Sequence, residues 1–299
     1  MRIMLFILMQ LGILVVVGIV GSILMNVFNI RISSGSYTSL LIMCAIYGFV
    51  GSFISLFMSK WMCKKAYGVN TFTTASSNEE AFLLDTIAEL SQKAGIAMPE
   101  VGIYESDDPN AFATGASKNA ALVAVSRGLL NNMSQDEVKG VLGHEISHIA
   151  NGDMVTMSLL QGVLNTFVYF FSYIAATAVS TFMSRSDDEE GSSSGAGSLV
   201  FFITNMLFQI LFGILAQIVL MWFSRYREFK ADEGSARLEG KECMIQALEA
   251  LKEMGPSESK QEASMQALCI NGGSNLSALF LSHPPLDQRI EALRRLNVV

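Results

Sequence analysis

Charged residues are absent from four long blocks of this chain: Ile3 to Ile30, Ile32 to Ser59, Met154 to Ser184 and Gly191 to Ser224. A spanning helix needs about 20 mostly apolar residues, and every block exceeds that. The pattern predicts membrane helices near Leu5–Val27, Leu40–Met58, Ser158–Phe182 and Leu199–Phe223. The first run is too long for the core of a secretory signal, and no small-residue cleavage site follows it, so it reads as a retained anchor. Gln161, Asn165 and Thr166 fall in the first half of the third helix. Polar groups at that depth are costly unless they face protein. A cytoplasmic or interfacial hairpin is therefore the alternative to spanning for helices three and four.

Between the second and third blocks the pattern changes to a mixed one. Phe82, Leu83, Ile87, Leu90 and Ala94 recur at helical spacing. Asn78 is the expected cap of that helix and Gly95 its end. Short apolar runs at Val101–Tyr104, Ala111–Thr114 and Ala121–Val125, separated by turn-forming residues, predict three strands. Ser134 and Glu137 form a capping box, which opens a helix running into His144-Glu145-Ile146-Ser147-His148. Residues 185–198 are acidic, then rich in Gly and Ser, and read as a flexible loop tip without a fold of its own.

Composition agrees with a membrane protein: 51% of residues are apolar and 16% charged, with a mean hydropathy of +0.41. The net charge of −7 argues against nucleic-acid binding. Cys44, Cys63, Cys243 and Cys269 are scattered, without a C-x-x-C pair, and are expected to be free thiols. Basic residues set the orientation. Arg2 precedes the first helix, Lys60, Lys64 and Lys65 follow the second, and Arg225, Arg227 and Lys230 follow the fourth. The two intervening loops hold only Arg31 and Arg185, the latter beside four acidic residues. Both termini and the segment from about 60 to 153 are therefore expected in the cytoplasm.

The candidate chemistry rests on two of the chain's three histidines. His144 and His148 are four apart, which puts both imidazoles on one helix face within reach of one metal. Glu145 then lies beside the metal's open position, where a carboxylate can take a proton from activated water and later deliver it to a leaving amine. A catalytic zinc needs a third protein ligand. No H-x-x-G-x-x-H continuation follows, so a carboxylate is expected. Glu228 is the first candidate and Asp153 the next. Asp232, one turn beyond Glu228, is placed to accept the second N–H of a ligating histidine. A solvated charged face among Arg225, Arg227 and Lys230 is the plainer reading of Glu228 and Asp232.

These residues together resemble the HtpX family of bacterial membrane zinc proteases, relatives of the CAAX prenyl proteases. The likeness is carried by Asn110–Ala116, Leu122–Ser126, His144–Met157, Met221–Asp232, Ala267–Gly272 and His283–Leu293. It implies a zincin-like domain, Glu228 as third zinc ligand, Glu145 as general base and one Zn²⁺ per chain. It also implies endoproteolysis of damaged or misfolded membrane proteins at the cytoplasmic face. By analogy with the prenyl proteases, His283 and Arg289 are expected near the zinc, where they would stabilise an oxyanion or orient the site. Asn110, Ala111, Phe112 and Ala113 are expected to form an edge strand that pairs with extended substrate.

The expected fold is α+β: a zincin-like metalloprotease domain with four integral membrane helices. Residues 1–59 form an anchor, 60–157 the first part of the zincin domain, 158–223 a helical hairpin and 224–299 the second part. His148 and Glu228 have 79 residues between them, and an up-and-down hairpin would return the chain to the same membrane side. Zinc would then sit close to the cytoplasmic membrane surface. Two rivals are a scaffold or chaperone with a structural zinc, and a zinc transporter. A closed structural site has no need of Glu145, and no acidic residue or histidine lies inside an apolar block to serve transport.

Overall fold

The structure, a computed structural model, describes residues 19, 20, 23, 36–186, 194–254 and 283–297. The first expected membrane helix lies outside these residues apart from Ile19, Val20 and Ile23, which are helical. Cys269 and the Ala267–Gly272 motif also lie outside them. Cys44, Cys63 and Cys243 are free thiols.

Three long helices carry the apolar blocks: α1 (Tyr37–Tyr67), α5 (Asp153–Ser186) and α6 (Ser194–Glu239). At 1.5 Å per residue, even the shortest, with 31 residues, is about 46 Å long, which exceeds a bilayer core of about 30 Å. Among the described residues these three are the helices long and apolar enough to cross a membrane. The expected loop at 185–198 is shorter than its composition suggested. Residues 185–186 end α5 and 194–198 begin α6, while 187–193 lie outside the described residues.

The chain divides into two compact units: Met1–Ser55 with Ser158–Leu220, and Leu56–Met157 with Met221–Val299. In the first unit α1 and α5 approach closely. A Cβ on Gly48 would lie 2.8 Å from the Gly162 carbonyl oxygen and 2.9 Å from the Thr166 hydroxyl. Small residues allow such backbone approach between membrane helices. Ser158 Oγ donates to the Ser52 carbonyl at 2.9 Å. The expected polar residues Gln161, Asn165 and Thr166 bond within their own helix: Gln161 donates to Asn165 at 2.8 Å, and the Thr166 hydroxyl donates to the Gly162 carbonyl. Large side chains such as Phe202, Leu207, Ile210 and Leu215 stay exposed, as lipid-facing residues do.

In the second unit four strands form a sheet in the order β1-β2-β4-β3: β1 (Asn70–Phe72), β2 (Glu100–Tyr104), β3 (Ala111–Gly115) and β4 (Ala121–Ser126). β1 pairs antiparallel with β2, β2 parallel with β4, and β3 antiparallel with β4, with Ala113 opposite Val123. Among the described residues β3 is thus an edge strand. Val101, Ile103, Val123 and Val125 face a core completed by Leu83, Ile87 and Leu90 of α2 (Asn78–Ala94) and by Leu142, Ile146 and Ile149 of α4 (Gln135–Asn151). The short α3 (Arg127–Asn132) joins β4 to α4. α7 (Lys241–Glu253) packs on α4 and on α8 (Leu286–Arg295).

Two expectations need adjusting. The cap of α2 is Ser77, whose hydroxyl accepts from Glu80 N, and Asn78 is the first helical residue. β3 begins at Ala111; Asn110 precedes it, its N–H donating to the Ser126 hydroxyl and its carbonyl accepting from Ser126 N. The three-residue β1 was too short to register as a periodic run.

Candidate active site

The site begins with the ends of α4. Ser134 and Glu137 close the capping box at its start, each side chain meeting the other's backbone N–H. Gly152 ends it at φ +72, a left-handed conformation that glycine adopts without Cβ strain. Asp153 then opens α5. The negative side chain sits in a helix first turn, where the backbone N–H groups favour it.

α6 passes against α4 at a contact made by small residues. A Cβ on Gly143 would lie 2.6 Å from Ser235 Oγ, and one on Gly234 would collide with Ser147 Oγ. Ser235 Oγ donates to the Gly140 carbonyl at 2.7 Å. Only glycine permits this approach, and it brings Glu228 and Asp232 of α6 level with the two histidines.

His144 and His148 point their Nε2 atoms at one another, 3.1 Å apart. Glu228 Oε1 lies 3.3 Å from His148 Nε2, and Oε2 lies 3.5 Å from His144 Nε2. Ligand atoms from all three residues lie within 4.8 Å of one another. Ligands about 2.0–2.1 Å from a tetrahedral zinc stand about 3.3–3.4 Å apart, so the donor set fits that ion. The other nitrogens are already engaged. His144 Nδ1 donates to Asp232 Oδ1 at 2.9 Å, and His148 Nδ1 donates to Asp153 Oδ2 at 2.6 Å. With the proton held on Nδ1, each ring presents its Nε2 lone pair.

Asp232 is gripped by Arg289, whose Nε donates to Oδ2 at 2.8 Å and Nη2 to Oδ1 at 2.6 Å. Arg289 Nη1 also stands 3.1 Å from Glu228 Oε2. Asp153 pairs with Arg227. His283 Nδ1 lies 2.7 Å from Glu228 Oε2 while its ring stays exposed. Glu145 is half-buried and makes no hydrogen bond or ion pair with any described residue.

Electrostatics follow from this packing. Burial pushes the Glu228 carboxyl up, but bonds from His144, His148 and His283 outweigh it and hold the group far below the usual carboxylate range. Asp232 is likewise raised by burial and lowered more by Arg289 and His144, ending low. Burial lowers the two imidazoles, yet Asp232 and Glu228 raise His144, and Glu228 and Glu145 raise His148, leaving both above the ordinary histidine value. The pocket draws positive charge, which suits a divalent cation.

All the residues singled out from the sequence as ligands or helpers converge here: His144, Glu145, His148, Glu228, Asp232, His283 and Arg289. Arg289 is buried behind the carboxylates. Asp153 is the second candidate ligand from the sequence. It belongs to the next helix and meets the far nitrogen of His148. The signal was Gly152-Asp153, a helix stop followed by a helix start.

The model of peptidase family M48 matches residues 77–297. The chain is 54% identical to Protease HtpX of Erwinia tasmaniensis over 98% of both chains. It is 53% identical to Protease HtpX of Tolumonas auensis over 99% of both, and 52% identical to that of Klebsiella pneumoniae over 98% of both. In fold it is similar to the crystal structure of S. mikatae Ste24p, at 18% identity and a TM-score of 0.65, covering 97% of this chain and 63% of that one. A family match over most of the chain, full-length likeness, apolar helices and a two-histidine, one-carboxylate cluster lead to one conclusion: the chain belongs to peptidase family M48 and is a membrane zinc metalloprotease.

Proposed function

We propose that the enzyme is an endopeptidase that cleaves damaged or misfolded membrane proteins at the cytoplasmic face of a bacterial inner membrane, with Glu145 as general base. The carrying observation is that three ligand atoms converge while the neighbouring Glu145 carboxylate has no hydrogen-bond or ion-pair partner among the described residues. His144, His148 and Glu228 hold the ion, and Asp232 and Asp153 fix the rings. When bound, zinc would supply Lewis acidity, lowering the pKa of a water to about 7.

Glu145 takes the proton of the attacking water and returns it to the leaving amine. Arg289 positions Asp232 and Glu228 and does not touch substrate. His283, bonded to Glu228 through Nδ1, has a second nitrogen for the substrate; in its protonated form it donates from Nε2 to the developing oxyanion. The free edge of β3, with Asn110 leading into it, receives an extended segment through backbone hydrogen bonds, which accept varied sequences. Unfolded or emerging segments supply such strands. Lys60, Lys64 and Lys65 at the end of α1, and Arg225, Arg227 and Lys230 after the apolar part of α6, support the cytoplasmic orientation.

Detergent-purified protein should degrade casein only when zinc is present, and failure to degrade it at full zinc occupancy would refute the endopeptidase reading. Cysteines introduced at residues 60 and 145 should resist impermeant labelling in intact cells; labelling from outside would refute the orientation.

A further inference from the structure

β3 separates two environments. Ala111 and Ala113 pack toward the core shared with α4, while Phe112 joins Val69, Tyr104 and Ala124 on the opposite face of the sheet. There Tyr67, the last residue of α1, closes an aromatic group. Its ring centroid is 5.2 Å from Phe112 and 5.4 Å from Tyr104, and Tyr104 is 5.6 Å from Phe112. Tyr104 is only 2% exposed and serves as the base of the group, whereas Tyr67 is 43% exposed and Phe112 half-buried. Two aromatic rings thus reach solvent beside the free edge of a strand.

Side chains along a strand alternate between sheet faces. A segment added to β3 therefore meets alanines on the α4 face and aromatic rings on the other. Directly opposed residues in paired strands interact, and aromatic pairs add to the apolar area they bury. We infer that Tyr67 and Phe112 form a specificity subsite that selects a large apolar or aromatic side chain at one position of the substrate, the position whose side chain lies on that face. This rests on the reading of β3 as the substrate-pairing edge. The substrate class is then narrower than any extended polypeptide. It is an extended segment with a bulky apolar residue in a fixed register, flanked by neighbours that the enzyme hardly discriminates.

The test uses the full-length, zinc-loaded protein in detergent and a peptide library of fixed backbone length, with cleavage read by mass spectrometry. Wild type should favour Phe, Tyr or Leu over Ala at a single subsite by about 10-fold or more in kcat/KM, the range a well-filled apolar pocket supplies. Tyr67→Ser and Phe112→Leu should flatten that preference to about 3-fold or less, leave adjacent positions unchanged and retain one zinc per chain. Tyr67 is exposed, so its substitution tests the subsite even if Phe112→Leu folds poorly. A second arm places backbone N-methyl groups along one good substrate. Loss of cleavage at alternate N-methyl positions together with a flattened profile supports the proposal. The same loss with the aromatic preference intact in both variants, or with none in wild type, overturns the subsite alone. N-methylation without effect overturns the β3 edge reading and the subsite with it.

Discussion

His144 and His148 stand one turn apart on α4, yet the carboxylates behind them come from different parts of the chain. Asp153 is five residues beyond His148, and its position follows from the turn at Gly152. Asp232 is 88 residues beyond His144 and arrives on α6 only because Gly143, Gly234 and Ser235 let two helices touch. Asp232 is then locked by two bonds from Arg289, 57 residues further on α8. One histidine is thus held by local geometry and the other by the closure of the second unit. An Arg–carboxylate pair buried this deeply is costly to break from one side, because the remaining charge is left without a partner.

The largest effects should come from the ligands, where the two sides are equal. His144→Ala, His148→Ala and Glu228→Gln each remove a bond to the metal, and a neutral amide is a poor zinc ligand. Metal analysis of the purified variants should find zinc far below one per chain, with proteolysis lost. Full zinc and activity in Glu228→Gln would remove it from the ligand set.

Changing the backing carboxylates should reveal the asymmetry. Outer hydrogen-bond partners of a metal-bound histidine are worth about 10–100-fold in affinity. Asp232→Asn should fall toward the upper end, since it also strands the deeply buried Arg289, and Asp153→Asn toward the lower, since the Arg227 it leaves is more exposed. Zinc competition with a chelator reads both. Equal losses would mean that the Arg289 clamp adds nothing.

The same contrast explains what could be read in advance. The apolar blocks, the three longer strands and the capping box of α4 were visible because each is a local pattern: length, alternation or an S-x-x-E spacing. The histidine pair was visible because helical periodicity alone makes its geometry. The four-residue offset from Glu228 puts Asp232 on the same helix face, where its carboxylate meets His144 Nδ1. What stayed hidden depended on packing between distant segments. Nothing local shows that Ser235 and Gly143 meet, that Arg289 faces Asp232, or that Tyr67 ends an aromatic group with Phe112. Asp153, ranked behind Glu228 as a ligand, lies on the next helix because Gly152 ends α4, and its carboxylate meets the far nitrogen of His148.

A smaller effect is expected from pH. The folded values of His144 and His148 lie above the unfolded one of about 6.5. In metal-free protein their protonated forms add stability that is complete below about 6.5 and lost as pH rises through the folded values. Zinc competes with those protons. The gain in thermal stability on adding zinc should therefore grow with pH across that interval and shrink in acid. A gain that is flat with pH would contradict the assignment of both imidazoles.

The most direct test of the account is the contrast between Glu145 and the ligands. Glu145→Gln keeps the side chain's size and removes the base. Zinc should stay near one per chain while casein cleavage falls by at least the 10²–10⁴-fold expected of general acid–base catalysis. If Glu145→Gln digests casein as fast as the wild type at equal zinc content, Glu145 is not the base, and the proposed proton path is wrong.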